Sequence, residues 1–266
     1  MIGAIIGDIV GSRFEFNNWK RKDFQFFKQQ CRPTDDSVMT LAVAAALLEA
    51  GEDAEALRAS AIQWMQMLGR SYPRSGFGGR FYEWIFAENP QPYGSYGNGA
   101  AMRISPVGFY ARSEDEVKRL SEIVTGVSHN HPESLKGAEA VAMAIYLARN
   151  GADKAAIRDR IARDYYQIDF TLDEIRPKYR FDVSCQGSVP QALEAFFEAE
   201  SFEDAIRNAI SIGGDSDTIA AIAGGIAEAF YGVPVATAWA AERFLDDALR
   251  EICERWKEFM KQRKQQ

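Results

Sequence analysis

The sequence predicts an all-α fold, and three observations carry this prediction. Apolar residues recur at helical spacing through most of the 266 residues, the alternation typical of strands is scarce, and glycine or proline follows several periodic segments. Hydrophobic residues make up 47% and charged residues 26%, as in an ordinary globular protein. No linker, low-complexity segment or internal repeat divides the chain. We therefore interpret residues 1–266 as a single compact helical domain.

The periodic segments predict nine helices. Glycines stand just after several of them, as expected at helix C-termini. In chain order the predicted helices cover residues 38–49, 54–68, 114–127, 133–149, 154–165, 189–199, 202–210, 218–231 and 236–261.

The rest of the chain is aperiodic. Residues 70–99 and 167–187 are predicted to be long loops, a kind that is more often functional than accidental. A short helix is expected after Arg80. Two weak strand candidates are residues 24–27 and a short piece near Phe181. The basic segment KQRKQQ that ends the sequence is expected to be a frayed, solvated end.

Charge and cysteine usage limit the setting. Lys plus Arg number 31 and Asp plus Glu number 38, a net charge of −7, which argues against a nucleic-acid-binding face. Cys31, Cys185 and Cys253 are widely spaced and form no CxxC pair, which fits a reducing compartment. Asp8 interrupts the apolar N-terminus, and no run reaches the roughly 18 apolar residues of a membrane span. We expect a cytoplasmic protein without a membrane segment.

Two short acidic segments each precede an apolar, alanine-rich helix. They are PTDDSV at residues 33–38 and GGDSDT at residues 213–218. Each could be only a helix cap and turn, because Asp and Thr are favoured N-caps. However, two aspartates exceed what one cap needs. Helices this apolar should also direct their N-termini toward the core or a cleft. If the two segments met, their four carboxylates would repel one another unless protons or cations neutralised them.

The donors in these segments are all oxygens, with no Cys or His among them. Hard cations such as Mg²⁺ or Mn²⁺ prefer this set, and four aspartates with two threonines could serve two adjacent ions. Spacing alone does not establish that the segments meet. The candidate metal ligands are Thr34, Asp35, Asp36, Asp215, Asp217 and Thr218.

Other motifs carry weaker signals. GDIVGSRFE at residues 7–15 contributes Asp8 and Glu15, and SHNHP holds the only two histidines, His129 and His131, in the loop before a predicted helix. On spacing alone, Glu15 would ordinarily be a surface residue, and a loop histidine is usually unremarkable.

Two glycine-containing loops are candidate ligand sites. GFGGRF covers residues 76–81, and SYGNGAAMR covers residues 95–103. Glycines allow close approach to the backbone and leave amide donors free, which suits a phosphate or a sugar. Plain turns are the alternative for both.

Five motifs together resemble the ADP-ribosylglycohydrolase family. GDIVGSRFE, PTDDSVMTLA, SYGNGAAMR, SHNHP and GGDSDTIAAIAGGIAEA occur in this order in that family, and the resemblance covers about residues 2–234. The joint presence of TDD and GGDSDT at this separation is its most specific part. The resemblance implies an all-α fold with a cleft that holds two Mg²⁺ ions, with Mn²⁺ possible, on the six candidate ligands above.

The same resemblance assigns further residues. Glu15 resembles a glutamate beside the metals with a catalytic or gating role, and GSVPQAL at residues 187–193 resembles a segment that borders the cleft. The implied ligand-binding residues are Gly76, Gly78, Gly79, Ser95, Tyr96, Gly97, Asn98 and His129. Because carboxylates would repel a diphosphate, we expect it over the glycine loops, with the distal ribose over the metals and the adenine on Tyr93 or Tyr96.

The resemblance implies hydrolysis of the glycosidic bond at C1″ of ADP-ribose in an ADP-ribosylated protein or a small conjugate. The general base, or the carboxylate that stabilises the oxocarbenium-like transition state, would be among Glu15, Asp36 and Asp217. Two alternatives are a non-catalytic crystallin-like or ADP-ribose-binding protein and a metal-dependent phosphohydrolase. The acceptor linkage and the oligomeric state stay open.

Overall fold

The computed structural model describes residues 1–263, and that range contains fifteen helices and no strand. The predicted all-α fold is confirmed. The helices are α1 (Ile2–Gly11), α2 (Asp35–Ala50), α3 (Ala54–Ser71), α4 (Gly79–Phe86), α5 (Gly99–Met102), α6 (Ser105–Tyr110), α7 (Glu114–Gly126), α8 (Pro132–Arg149), α9 (Lys154–Asp164), α10 (Leu172–Ile175), α11 (Cys185–Phe197), α12 (Phe202–Ser211), α13 (Ser216–Tyr231), α14 (Val235–Glu242) and α15 (Asp247–Arg263).

Helix α13 lies at the centre of the molecule. It packs against α1, α8, α11 and α12, and all its residues from Ser216 to Ala227 are buried. A helix that is apolar on every side must be enclosed on every side, because no face of it can be left in water. Around this centre, α2 packs against α3 and α15, and α7 packs against α8. Reading residues 1–266 as one domain stays a prediction.

The long C-terminal helix predicted for residues 236–261 is wrong. The chain forms α14 and α15 there, with turns between them. Asp246 begins the second helix by accepting a hydrogen bond from the backbone N–H of Leu249 at 3.0 Å. Neither glycine nor proline marks the break between α14 and α15, so the helical spacing of apolar residues continues across it in the sequence. Helix α15 also continues into the segment expected to fray. Arg263 donates to the carbonyl of Tyr110 at 2.7 Å, and residues 264–266 lie outside the described residues.

Both strand candidates are wrong. Residues 24–27 form bends whose phenylalanines pack on the core. Near Phe181 the backbone makes only an isolated antiparallel bridge between Gly97 and Ser184. That bridge still matters, because it joins the two long loops: the N–H of Asn98 donates to the carbonyl of Val183 at 2.7 Å.

Helix α1 was not predicted, since its residues show no periodic face. The glycines of α1 explain both why this helix was not predicted and where it packs. A Cβ on Gly7 would overlap the carbonyl of Ala220, and one on Gly11 would lie 2.5 Å from the Cα of Asp217. Only glycine lets the backbones of α1 and α13 come this close. The contact fixes the N-terminus of α13 beside the last turn of α1.

No helix within residues 1–263 combines the length and the apolar character needed to cross a membrane.

Candidate active site and metal centre

The first acidic segment begins α2. Thr34 is the N-cap, with extended backbone, and its hydroxyl accepts the N–H of Asp36 at 3.3 Å. The main cap, however, is Asp8 from α1. The Asp8 carboxylate is fully buried and accepts the backbone N–H groups of Thr34 at 2.9 Å and Ser37 at 3.0 Å, together with both hydroxyls. The helix therefore needs neither Asp35 nor Asp36 as a cap.

Asp8 is a residue whose role the sequence did not reveal. The available signal was a single aspartate inside an otherwise apolar ten-residue segment. A buried carboxylate needs several donors, and the N-terminus of a neighbouring helix supplies them.

The second acidic segment begins α13. Gly213 and Gly214 have φ angles of 69° and 77°, in the left-handed region that glycine adopts without strain. Asp215 is the N-cap residue, yet its side chain makes no capping hydrogen bond. It accepts instead from the Asn98 side chain at 2.6 Å. The segment of residues 213–218 is therefore not only a helix cap.

Folding brings the two segments together. The hydroxyl of Thr218 donates to the carboxylate of Asp36 at 3.3 Å. Two groups of carboxylates form around this contact, each with ligand atoms within 4.8 Å of one another: Asp8, Asp36 and Asp217, and Glu15, Asp215 and Asp217. Asp217 belongs to both groups, so its carboxylate lies beside the ligand atoms of each group.

Glu15 is held beside this centre by Asn18, a residue without a recognisable motif in the sequence. The Asn18 side chain donates to the carbonyls of Glu15 at 3.0 Å and Gly214 at 3.1 Å, and it accepts from the N–H of Gly214 at 2.8 Å. Asn18 therefore joins the loop after α1 to the loop before α13.

Crowding of the carboxylates favours their protonated forms. Burial, and then the Asp8 carboxylate, raises the pKa of Asp35 to about 8. Burial, and then Asp215, raises the pKa of Glu15 to about 7. For Asp36 and Asp217, burial followed by neighbouring carboxylates raises the pKa well above the ordinary range. Such a cluster must take up protons or a cation near neutral pH.

The residues present fit a hard divalent cation. Asp36 Oδ1 is buried and has no hydrogen-bond partner among the described residues, so it is a free donor atom inside the cluster. The other candidate donors are carboxylate and hydroxyl oxygens, the ligands that Mg²⁺ and Mn²⁺ prefer. Asp8 is the member of the cluster that protein donors already satisfy. It fits the role of orienting Thr34 better than that of a ligand.

A cavity of about 510 Å³ opens above the carboxylates. Its walls contain many of the residues predicted to bind metal or ligand. These are Glu15, Asp35, Asp36, Gly76, Gly78, Gly79, Ser95, Gly97, Asn98, His129, Asp215, Asp217 and Thr218. A Cβ added to Gly78 or Gly79 would meet nothing within 4 Å, so the N-terminus of α4 faces open space.

Two predicted residues lie outside that wall. Thr34 is buried beneath it, and Tyr96 is 54% exposed with its ring 5.6 Å from that of His131. Asn98 lines the cavity, but its amide nitrogen donates to Asp215 and, at 3.0 Å, to Ser188. Asn98 thus connects residues 187–193 to the carboxylates. Its role toward a ligand stays a prediction.

The wall also contains residues that were not predicted, among them Arg103, Phe16 and Phe181. Arg103 is fully buried next to His129. Phe16 and Phe181 stand at the rim, 83% and 48% exposed, with their rings stacked at 6.0 Å and 25°. Glu15 and Phe16 are adjacent in sequence, so the aromatic rim borders the acidic floor. Isolated exposed aromatics give no signal in one sequence, and only folding pairs these two.

Together the helical fold and the site define a class: an all-α protein with an acidic, all-oxygen centre under a glycine-lined cavity. The chain belongs to the ADP-ribosylglycohydrolase family, which it matches over residues 1–266. The resemblance noted in the sequence is therefore confirmed.

Relatives of known description agree with this membership. The chain is 27% identical over 258 residues to the ADP-ribosylarginine hydrolase Tri1 of Pseudomonas putida (strain GB-1), covering 88% of this chain and 70% of that protein. It is 25% identical over 186 residues to human ADP-ribosylhydrolase ARH3, covering 53% of this chain and 51% of that protein. A solved structure described as an ADP-ribosylglycohydrolase-related protein complex shares the fold, with a TM-score of 0.68 at 22% identity and 97% coverage of both chains.

Proposed function

We propose that this protein hydrolyses the glycosidic bond at C1″ of ADP-ribose in ADP-ribosylated side chains or small conjugates, and that it needs Mg²⁺ to do so. One observation carries the proposal: Asp217 belongs to both carboxylate groups and lines the same cavity as the glycines of two loops. The family membership and the hydrolase names of the relatives support the reaction class.

Six residues would hold two metal ions, namely Thr34, Asp35, Asp36, Asp215, Asp217 and Thr218. Two bound Mg²⁺ ions, or Mn²⁺ in their place, would supply positive charge that orients the ribose hydroxyls and a water molecule. The buried, unpartnered oxygen of Asp36 supports this assignment.

The glycine loops would bind the diphosphate. Gly78 and Gly79 expose backbone amides at the start of α4, and a helix N-terminus attracts anions. The carboxylate floor would repel a diphosphate, so it lies over the glycines and the distal ribose lies over the floor. In this orientation the bond to be cleaved would lie near Glu15, which lines the cavity beside Asp215 and Asp217.

Hydrolysis requires a base for the attacking water. Water adds to C1″ as the bond from C1″ to the acceptor breaks, one proton of the water goes to a carboxylate, and that carboxylate then returns the proton to the departing acceptor. Glu15 suits this role because its carboxylate lines the cavity beside Asp215 and Asp217 and is not one of the six proposed metal ligands. Asp36 and Asp217 remain alternatives, since each borders the same space.

The acceptor we propose is the guanidinium of arginine. The arginine-specific name of the Pseudomonas putida relative, which aligns with 88% of this chain, is one support. The stacked rings of Phe16 and Phe181 beside Glu15 are the other. A planar cation packs well on an aromatic face next to a carboxylate, whereas a serine linkage offers the rings no group of that kind.

Product analysis tests the proposal. Purified protein with Mg²⁺ would be incubated with defined ADP-ribosylarginine, ADP-ribosylserine and O-acetyl-ADP-ribose conjugates. Release of intact ADP-ribose, fastest from arginine and abolished by excess chelator, is expected. AMP or phosphate as the product would indicate a phosphohydrolase instead. Tight ADP-ribose binding without turnover of any conjugate would indicate a binding protein.

A further inference from the structure

The imidazole of His129 is held from one side by two hydrogen-bonding side chains. Ser128 Oγ lies 2.9 Å from its Nδ1. Arg103 Nη2 lies 2.7 Å from that same serine oxygen and 3.4 Å from Nδ1. All three side chains are buried, and Arg103 and Ser128 have no exposed surface at all.

Donor and acceptor chemistry decides which way these bonds run. A guanidinium only donates, so the Ser128 oxygen accepts from Arg103 and its own hydrogen stays free to donate to Nδ1. The guanidinium approaches Nδ1 with an N–H as well. Both neighbours offer hydrogens to Nδ1, which must therefore accept. A neutral imidazole carries one hydrogen, so that hydrogen sits on Nε2.

The surroundings also keep the ring neutral. Protonation would place a second cation 3.4 Å from a buried guanidinium nitrogen. Phe81 and Tyr93 surround the ring with aromatic edges and faces at centroid distances of 5.7 and 5.5 Å, and neither offers a negative charge. Burial, followed by the charges of Arg103 and Arg80, lowers the pKa of His129 well below its usual value.

The other ring nitrogen lies beside two glycines of the cavity wall. A Cβ added to Gly99 would lie 3.2 Å from Nε2, and one added to Gly97 would lie 3.8 Å from it. His129 forms part of the cavity wall. Among the described residues, its only side-chain hydrogen bonds are those at Nδ1. The Nε2 hydrogen therefore has no acceptor among the described residues and can be donated to a bound ligand.

We propose that Arg103 and Ser128 are positioning residues that lock His129 in its Nε2–H tautomer, so that it is a permanent hydrogen-bond donor to an oxygen of the bound ligand and never a proton shuttle. The ligand oxygen is a hydroxyl or phosphate oxygen of ADP-ribose, and this half of the proposal rests on the proposed function. The tautomer half does not, because it concerns the free protein.

The tautomer can be read directly by ¹⁵N NMR on protein labelled at histidine. His129 and His131 are the only histidines, so His131→Gln leaves one imidazole in the spectrum. We expect an acceptor-type shift for Nδ1 and a protonated-type shift for Nε2, unchanged across the pH range in which free histidine titrates. A hydrogen on Nδ1, or titration near pH 6.5, would overturn the lock.

Variants test the positioning residues. Ser128→Ala should give a mixture of tautomers and weaken ADP-ribose binding about tenfold, the loss of one hydrogen bond. Ser128→Thr, which keeps the hydroxyl, should restore both. Ser121→Ala removes another buried serine hydroxyl, on α7, and should change neither. A pure Nε2–H tautomer with full affinity in Ser128→Ala would refute the role of Ser128.

Two substitutions of Arg103 test whether its positive charge keeps His129 neutral. Arg103→Lys keeps a cation near Nδ1 and should keep the tautomer, whereas Arg103→Gln should raise the pKa of His129 in the NMR titration. Equal titration behaviour in both variants would exclude the role of the charge. If the wild type fails to bind ADP-ribose, the donor role and the proposed function both fall, while the tautomer measurement still decides the lock.

Discussion

The hydroxyl of Thr218 lies 3.3 Å from the carboxylate of Asp36, although 182 residues separate them in the chain. Two helix N-termini meet at this contact, and each directs carboxylates into the same poorly hydrated space. These carboxylates do not serve as helix caps. Asp8 caps α2, and the side chain of Asp215 makes no capping hydrogen bond to α13. The carboxylates that meet here are thus free to bind a cation.

Asp217 belongs to both carboxylate groups, so its loss should damage the whole centre. We expect Asp217→Asn to lower turnover at least about a hundredfold, as for other electrostatic groups at reacting centres. Stabilisation by Mg²⁺, about 2.7 kcal/mol at a concentration a hundred times Kd, should also shrink. Thermal melts with and without Mg²⁺ measure this. Asp169→Asn removes an exposed aspartate and is the control. A full Mg²⁺ response in Asp217→Asn would contradict the metal assignment.

The pKa of Asp35, raised to about 8 by burial and then by Asp8, makes the metal-free protein sensitive to pH. Between the ordinary aspartate pKa and about 8, the folded state holds a proton that the unfolded state has released. Stability relative to Asp35→Asn should therefore be greatest at low pH and fall as pH rises through this window. Urea unfolding of both proteins in chelator across that range measures the difference. A difference that grows with pH would contradict the sign.

Gly7 permits the close contact between α1 and α13, because a Cβ there would overlap the carbonyl of Ala220. Gly7→Ala should destabilise the protein by about 1–3 kcal/mol, as overpacking of a core does. It should also weaken the response to Mg²⁺, since the same contact positions Asp8 and Asp217. Gly126→Ala, where a Cβ meets nothing within 4 Å, should instead be neutral or stabilising by up to about 1 kcal/mol. Denaturant unfolding compares the two.

Tyr96 lies outside the cavity wall with a half-exposed ring, a position suited to an adenine that projects beyond the phosphates. We expect Tyr96→Ala to weaken ADP-ribose binding by about 1–2 kcal/mol and to leave Mg²⁺ binding unchanged. Calorimetric titration measures both affinities. Tyr82→Ala removes another exposed tyrosine, outside the cavity wall, and should have no effect. Unchanged ADP-ribose affinity in Tyr96→Ala would remove this residue from the site.

Phe181 stacks on Phe16 at the rim, on the side where the acceptor would lie. Phe181→Ala should lower kcat/KM for ADP-ribosylarginine about tenfold, the cost of a lost cation–π contact. It should leave the affinity for free ADP-ribose unchanged, because that ligand has no acceptor. Steady-state kinetics and calorimetry separate the two effects. An equal loss of both would place Phe181 in the ADP-ribose site instead.

Local patterns in the sequence were sufficient to predict the helical class and most of the helix positions. Helical spacing locates α3, α8 and α12 to within three residues, although α3 continues through Gly69, where it was predicted to end, to Ser71. The same local reasoning failed for α1, which is buried on every side, and across the break between α14 and α15, where neither glycine nor proline marks the turn.

The sequence also supplied the chemistry of the candidate site, since two aspartate-rich segments and two glycine loops are visible as letters. Which of these segments meet depends on how the helices pack. The glycines of α1 let its backbone contact α13, and this packing brings Asp8, Asp36 and Asp217 within 4.8 Å. Asp8, Asn18 and Arg103 gained their roles in the same way. Their partners lie 26, 196 and 26 residues away, beyond the reach of any local pattern, and burial selects the hydrogen bonds that they must make.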